Sequence, residues 1–291
     1  YIDKLAEKLV ENNIKFSVSS LRADTLREPL MNGLAFSGHK TLTIAPEAGS
    51  NRLREVINKG ITDEHVINSV RLAYKFGINN VKLYYIIGLP GETEDDIKEM
   101  INFLLLLKDF MKSLGNKLGT MTISINPFIS KPFTPFQWES QITLAEIDER
   151  QQHLKKLLKK NKNIYYSWHN GKISFLEAVF SRGDRKLGRV LKIAHEKGCK
   201  FDGWDEFLDF DKWMSAFKEA KVDPEFYAYR KRPETEKFPW EIIDAGIDKR
   251  FLLLELEKAK KGQTTPDCRI RCHGCGIRRL GDGLCEIKNE V

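Results

Sequence analysis

Two parts of the sequence carry residues whose types and spacing could do chemistry. Near the amino terminus, Glu47 follows the segment Thr41–Ala45, and Gly88 and Gly91 follow the apolar segment Val81–Ile87. A carboxylate can accept hydrogen bonds from an ammonium group or from ribose hydroxyls, and glycines let the backbone approach a ligand closely. By its residue type alone, the carboxylate could equally lie at a helix N-terminus, and Gly-Leu-Pro-Gly could be an ordinary turn.

The second part is a group of cysteines near the carboxyl terminus, which contains four of the five cysteines of the chain: Cys268, Cys272, Cys275 and Cys285. Clustered cysteines in a lysine-rich chain without a secretory signal predict metal ligation in a reducing cytoplasm rather than disulfides. These four thiolates could complete a tetrahedral zinc site, with His273 in reserve as fourth ligand, or they could hold an auxiliary iron–sulfur cluster. Cys199 stands alone, and we expect it to be a small buried hydrophobic residue.

The elements around the first group predict a βαβ unit. Two short apolar strands, Thr41–Ala45 and Val81–Ile87, flank a helical pattern, which implies parallel pairing. Ligands in such folds bind at the carboxyl ends of the strands, where Glu47 and Gly88 would lie. Because the second strand is almost entirely apolar, we expect it to be buried on both faces.

The rest of the chain predicts further strands, helices and domain boundaries. Alternating patterns predict strands at Phe16–Arg22, Thr120–Asn126 and Ile164–Trp168. Helices are expected over Ile2–Glu11, Thr25–Met31, Ile173–Phe180, Lys186–Lys197, Asp211–Lys221 and Lys249–Lys261, and helix caps at Ser50, Thr62, Thr93 with Asp96, and Thr143 with Glu146. Near residue 142 the sequence changes to a lysine-rich helix followed by mainly helical patterns, and the cysteines cluster at the end. We therefore predict domains at 1–142, 143–262 and 263–291.

Composition restricts the function only weakly. The 291 residues include 48 Lys and Arg against 41 Asp and Glu, giving a net charge of +7 with both signs mixed. This bias allows RNA or another anionic partner, for example at the loop Tyr227–Arg232, but a solvated lysine-rich surface explains it better. No apolar run is long enough to span a membrane. The chain starts at Tyr1 within a helical pattern, which suggests a fragment or a processed product.

Two strings together resemble a known family. Pro46-Glu47-Ala48-Gly49-Ser50 with the helix that follows, and Ile87-Gly88-Leu89-Pro90-Gly91-Glu92-Thr93, resemble the fourth and fifth strands of radical S-adenosylmethionine (SAM) enzymes. The second half resembles radical SAM proteins with an upstream cobalamin-binding-like domain, on the strings Phe175–Arg185, Phe201–Trp204, Pro239-Trp240 and Thr265–Cys268.

The resemblance implies a fold, an activity and a set of site residues. The fold would be α/β, the carboxyl-terminal part of a partial (β/α)6 barrel with strands three to six, followed by a mostly helical extension and a cysteine module. The reaction would be cleavage of SAM to a 5′-deoxyadenosyl radical, with cobalamin-linked methyl transfer or modification of RNA or protein as outcomes, and flavodoxin or ferredoxin as electron donor. By this resemblance Glu47 would contact the amine or ribose of SAM, and the remaining contacts would be Ser19, Arg22, Ile87, Gly88 and Asn126.

One departure limits this interpretation. The family holds its catalytic [4Fe–4S] cluster on three cysteines after strand one, and strands one and two are not in this sequence, so this fragment alone is expected to be inactive. Cys268-x3-Cys272-x2-Cys275 has the same spacing, but it follows the predicted barrel strands instead of opening them. The alternative function is an RNA-binding or scaffolding module with a structural zinc site and no catalysis of its own.

Overall fold

The computed structural model describes residues 1–115, 119–159, 161–281 and 285. These residues form two compact units, one comprising residues 1–126 and 150–168 and the other residues 127–149 and 169–291. The strands are β1 Thr41–Glu47, β2 Asn80–Ile87, β3 Met121–Pro127 and β4 Ile164–Trp168. The helices are α1 Ile2–Glu11, α2 Glu28–Phe36, α3 Asn51–Val56, α4 Asp63–Lys75, α5 Glu94–Ser113, α6 Leu144–Leu158, α7 Gly171–Ser181, α8 Leu187–Glu196, α9 Phe210–Ala220, α10 Pro224–Ala228 and α11 Lys249–Lys260.

The four strands form one sheet in the order β1-β2-β3-β4, with β1 parallel to β2 and β3 parallel to β4. Each crossover between consecutive strands carries at least one helix, as parallel neighbours require. This α/β arrangement confirms the predicted partial (β/α) barrel, and β4 confirms the strand predicted at Ile164–Trp168.

The predicted strand at Phe16–Arg22 was wrong. Only Leu21 joins the sheet, through a single parallel bridge to Ile44 and one backbone hydrogen bond to Thr43. Side chains satisfy the backbone at the other end of the segment: the N–H of Phe16 donates to the Ser37 hydroxyl at 3.1 Å. The N–H of Phe16 therefore needs no partner in a strand ladder.

The predicted helix at Thr25–Met31 also needs correction. A 3₁₀ turn covers Ala23–Thr25, and α2 begins only at Glu28. Pro29 explains the shift, because proline fits the first helical turn but removes a hydrogen bond from a helix interior. The predicted caps are present: the side chains of Ser50, Thr62 and Thr93 accept from the N–H three residues on, and Thr143 does so with Glu146.

The sheet is buried on one face only, which contradicts the expectation that the second strand is covered on both faces. Residues along β2 alternate between buried and half-buried, and β3 does the same. The buried face packs into the core of the first unit; its sheet residues are Leu42, Ile44, Val81, Leu83, Tyr85, Ile87, Met121, Ile123, Ile125 and Ile164. The opposite face is more polar and more open.

The described part of the second unit is mostly helical and contains apolar clusters. One lies among helices α7 to α10 and another around Trp138, Trp240 and Leu256 of α11. The three predicted domains remain a prediction, and residues 282–284 and 286–291 of the third lie outside the described residues. No described helix is long and apolar enough to cross a membrane.

Candidate functional site

Glu47 lies at the carboxyl end of β1 in an unusual backbone conformation. Its φ is 69°, a left-handed value that costs a residue with a Cβ about 1 kcal/mol or more. The pairing register between β1 and β2 shifts between Ile44 and Glu47, so a bulge turns the chain at this point. The bulge places the carboxylate at the strand-end edge, where a ligand of a parallel sheet binds.

The carboxylate of Glu47 already contacts a cation. The Nζ of Lys59 lies 3.2 Å from its Oε1, and both side chains are partly exposed. Arg22 joins the same edge by donating to the Lys59 carbonyl oxygen at 3.3 Å, while its guanidinium pairs with Asp24 at 2.7 Å. A carboxylate that holds a primary ammonium in this position has the chemistry to hold the ammonium of an amino-acid ligand.

The loop after β2 is shaped by its glycines and by Glu92. Gly88 and Gly91 have φ of 77° and 79°, values that favour glycine. The N–H of Gly88 donates to the Glu92 carboxylate at 2.9 Å, and this carboxylate pairs with Arg150. Burial lowers the pKa of the Arg150 guanidinium. The contact of Glu92 with the Gly88 N–H therefore links the two ends of the loop.

A buried guanidinium, that of Arg54, stabilises the loop after β1. Arg54 is 1% exposed and donates to the Ala48 carbonyl oxygen at 3.2 Å and to the Asn51 side chain at 2.7 Å. It also pairs with Asp63 at the N-terminus of α4. Gly49 packs so closely on α5 that a Cβ there would lie 2.6 Å from the Asp96 carbonyl oxygen. The loop therefore has two fixed supports, one in α4 and one in α5.

The open face of the sheet adds residues that the sequence analysis did not select. Lys82 and Tyr84 of β2 and Thr122 and Ser124 of β3 are all half-buried on this face. The Lys82 ammonium lies 4.8 Å from the centre of the Tyr84 ring. The sequence signal for this face was Lys82, a charged residue within an otherwise mainly apolar strand. A polar residue at this position indicates that one face of the strand is polar.

The six sequence-predicted residues occupy three kinds of position: strand ends, the core, and the segment before the sheet. Glu47 and Gly88 lie at the carboxyl ends of adjacent strands, and Asn126 lies near the carboxyl end of β3. Ile87 is fully buried on the core face of β2. Arg22 reaches Lys59, whereas Ser19 is exposed in the segment that precedes the sheet. Lys59, which sequence reasoning did not select, links Glu47 to Arg22.

Comparison with known proteins agrees with this geometry. Residues 1–104 match the family model described as Radical SAM superfamily. This part of the chain belongs to the radical SAM superfamily. The matched residues include the Glu47 loop and the Gly88–Glu92 loop, so the predicted family is confirmed on the residues that suggested it.

The chain is also similar to curated relatives, and the similarity to the first of them is longer than the first unit and therefore extends into the second. An uncharacterized protein of Methanocaldococcus jannaschii is 36% identical over 222 residues, covering 76% of this chain and 47% of the relative. A Pyrococcus horikoshii protein named an uncharacterized methyltransferase is 34% identical over 91 residues, 31% of this chain and 19% of its own length. A second uncharacterized M. jannaschii protein is 22% identical over 125 residues, 43% and 23% of the two chains. The chain thus spans about half the length of the first relative and a smaller share of the other two.

The predicted cysteine site is not assembled in the described residues. Among them, no three His, Cys, Asp or Glu side chains are grouped to hold a metal ion. The Cys272 sulfur accepts the Gly274 N–H at 3.4 Å, and contacts with Cys285 and Cys272 raise the pKa of Arg278. The cysteine-based zinc or iron–sulfur site remains a prediction.

The basic loop considered for RNA binding uses its cations internally. Arg230 forms a two-pronged pair with Glu236 at 2.7 and 2.8 Å, and Lys231 lies 2.9 Å from Glu139. Arg232 is buried and bonds to the carbonyl oxygen of Arg182. Cations held in this way are poorly placed to bind phosphates.

Proposed function

We propose that this chain supplies the SAM-binding half of a radical SAM iron–sulfur enzyme. The observation that carries the proposal is the left-handed Glu47 at the carboxyl end of β1, beside the Gly88 loop, within the residues that match the family. The activity of the whole protein is part of the proposal, because the chain covers only 47% of its first relative.

Each candidate residue has a role in this proposal. Glu47 accepts hydrogen bonds from the amine or ribose of SAM in place of Lys59. The side chain of Ile87 faces the core, so only the backbone at Ile87 and Gly88 flanks the adenine. Arg22 and Asn126 are secondary contacts, as is Ser19. Lys59 stays close enough to Glu47 to neutralise part of its charge when no ligand is bound.

The cluster-dependent chemistry is supplied from elsewhere. When bound, a [4Fe–4S] cluster would supply the electron for reductive cleavage of SAM to methionine and a 5′-deoxyadenosyl radical. The first unit contains no cysteine, so it does not itself supply thiolate ligands for this cluster. The chain's own residues bind SAM, orient it and limit the access of water to it.

Methyl transfer is the reaction outcome we propose to test first. The P. horikoshii relative is named an uncharacterized methyltransferase, and cobalamin would be a suitable methyl carrier if the intact protein binds it. RNA and protein are the substrate classes to compare. Flavodoxin or ferredoxin would be the electron donor, and the oxygen-sensitive cofactor fits a reducing cytoplasm.

The test is SAM cleavage by the intact protein as it is encoded. The protein would be reconstituted with iron and sulfide without oxygen, reduced with dithionite and given SAM. We expect 5′-deoxyadenosine and methionine in equal amounts. Failure of the cluster-loaded, reduced protein to form 5′-deoxyadenosine would refute the proposed function.

A matched pair of variants tests the role of Glu47. Glu47→Gln removes the charge that holds the ligand ammonium, and a hydrogen bond to a charged group contributes about 1.5–3 kcal/mol. We therefore expect about 10- to 100-fold weaker SAM binding. Glu55→Gln, on the exposed side of α3, should bind SAM like the wild type. Equal SAM affinities for Glu47→Gln and the wild type would exclude Glu47 from the site.

A further inference from the structure

Asp96 is a buried carboxylate in the first turn of α5 whose partners come from two different loops. It is 3% exposed. Its carboxylate accepts from the Ser50 hydroxyl and from the Arg52 guanidinium, at 3.2 Å from Nε and 2.5 Å from Nη2. It also accepts from the hydroxyl and the N–H of Thr93, at 2.7 and 2.8 Å.

These donors belong to the two loops of the candidate site. Ser50 and Arg52 follow Glu47 in the loop and helix after β1, whereas Thr93 ends the loop after β2. Arg52 bonds to the second loop directly as well, because its Nη2 donates to the Gly91 carbonyl oxygen at 2.8 Å. One carboxylate and one guanidinium therefore tie the loop after β1 to the loop after β2.

Capping of α5 alone does not explain this arrangement. A capping box needs only the reciprocal bonds between Thr93 and Asp96. The added contacts with Ser50 and Arg52 place a carboxylate in a buried position, which costs free energy unless the charge is fully bonded. Burial alone would raise the pKa of Asp96, but the hydrogen bonds from Arg52, Ser50 and Thr93 outweigh it and lower the pKa to about 2.

We infer that Asp96, together with Arg52, is a positioning residue that fixes the spacing between Glu47 and Gly88. The inference deepens the proposed function and rests on it for the identity of the ligand, SAM. We call the contacts of Asp96 and Arg52 with the two loops the clamp. Glu47 is three residues from Ser50 and Gly88 is five residues from Thr93, so the clamp is connected to both by short stretches of chain. Small errors in the spacing of binding groups cost large factors in binding and rate.

The main test compares two neighbouring aspartates in the intact, cluster-loaded protein. Asp96→Asn keeps the size of the side chain but removes the charge that Arg52 contacts. Asp95→Asn is the matched control, because Asp95 lies in the same helical turn, is exposed and pairs with Lys98. We expect Asp96→Asn to weaken SAM binding, measured by equilibrium dialysis, about tenfold to a hundredfold, and Asp95→Asn to leave it unchanged.

A second measurement follows the two loops without any ligand. Hydrogen exchange detects local opening of backbone segments. In Asp96→Asn we expect exchange at residues 45–50 and 88–93 to accelerate together, at least tenfold, with no change in α8 or α9. Arg52→Met should give the same pattern, because it leaves the buried Asp96 carboxylate without its charged partner.

The possible outcomes separate this inference from the proposed function. If the wild type does not bind SAM, the proposed function is refuted, and the exchange pattern still decides whether the clamp exists. If folded Asp96→Asn or Arg52→Met binds SAM as the wild type does, the positioning role is overturned. Faster exchange confined to α5, with both loops unchanged, would likewise show that Asp96 only caps the helix.

Discussion

The close approach of Gly49 to α5 predicts a large effect of adding one methyl group. In Gly49→Ala the new Cβ would lie 2.6 Å from the Asp96 carbonyl oxygen and 2.8 Å from the Met100 Cβ. Neither atom is the flexible end of a side chain, so the loop or the helix must move. Overpacking of this kind costs about 1–3 kcal/mol, and two rigid contacts favour the upper part of that range.

The assay for Gly49→Ala is urea unfolding followed by far-ultraviolet circular dichroism, with hydrogen exchange in β1, β2 and α5 to assign the loss to the first unit. A loss of about 2–3 kcal/mol should lower the urea midpoint by about 1 M for a slope of 2–3 kcal/mol/M. Gly115→Ala is the control, since no atom of the described residues lies within 4 Å of a Cβ placed there. Equal midpoints for Gly49→Ala and Gly115→Ala would refute the close-packing argument.

Two further predictions concern charge and helix propensity. The pKa of Asp96 is lowered to about 2, below its usual value, so the stabilisation that its charge provides is present above about pH 4 and disappears as the pH falls towards 2. The difference in unfolding free energy between the wild type and Asp96→Asn should therefore shrink across this range; a difference that is constant from pH 5 to pH 2 would contradict it. Gly188 lies within α8, and in the part of the chain that the structure describes no atom lies within 4 Å of a new Cβ there. Gly188→Ala should therefore stabilise the protein by about 0.5–1 kcal/mol in thermal or urea unfolding. A decrease in stability would mean that this helix needs the flexibility of glycine.

Local features of the fold could be predicted from the sequence because they depend on nearby residues. The caps at Ser50, Thr62 and Thr93 need only a hydroxyl and an N–H three residues later. The strands β1 and β2 follow from apolar runs bounded by turns. The segment Phe16–Arg22 has the alternation of a strand, but alternation cannot reveal that Ser37 bonds to its backbone.

The candidate site could be predicted only in part, because its contacts join distant residues. The strand-end positions of Glu47 and Gly88 follow from the βαβ pattern. The contact of Lys59 with Glu47 depends on how α3 ends, and the left-handed Glu47 depends on a bulge between two strands. Ser50 and Asp96 are 46 residues apart, so their contact follows from the packing of the helix on the loop.

The strain at Glu47 and the buried charge at Asp96 have a common explanation. A left-handed glutamate and a buried carboxylate each cost free energy, and such costs persist only where surrounding contacts compensate for them. Here Arg54 holds the loop from one side and Arg52 with Asp96 from the other, so the backbone at Glu47 cannot relax into an ordinary strand conformation. Loops built in this way bind a ligand without first having to become ordered, which lowers the entropy cost of binding. The same rigidity implies that variants of Asp96 or Arg52 should affect ligand affinity more than their distance from Glu47 along the chain suggests.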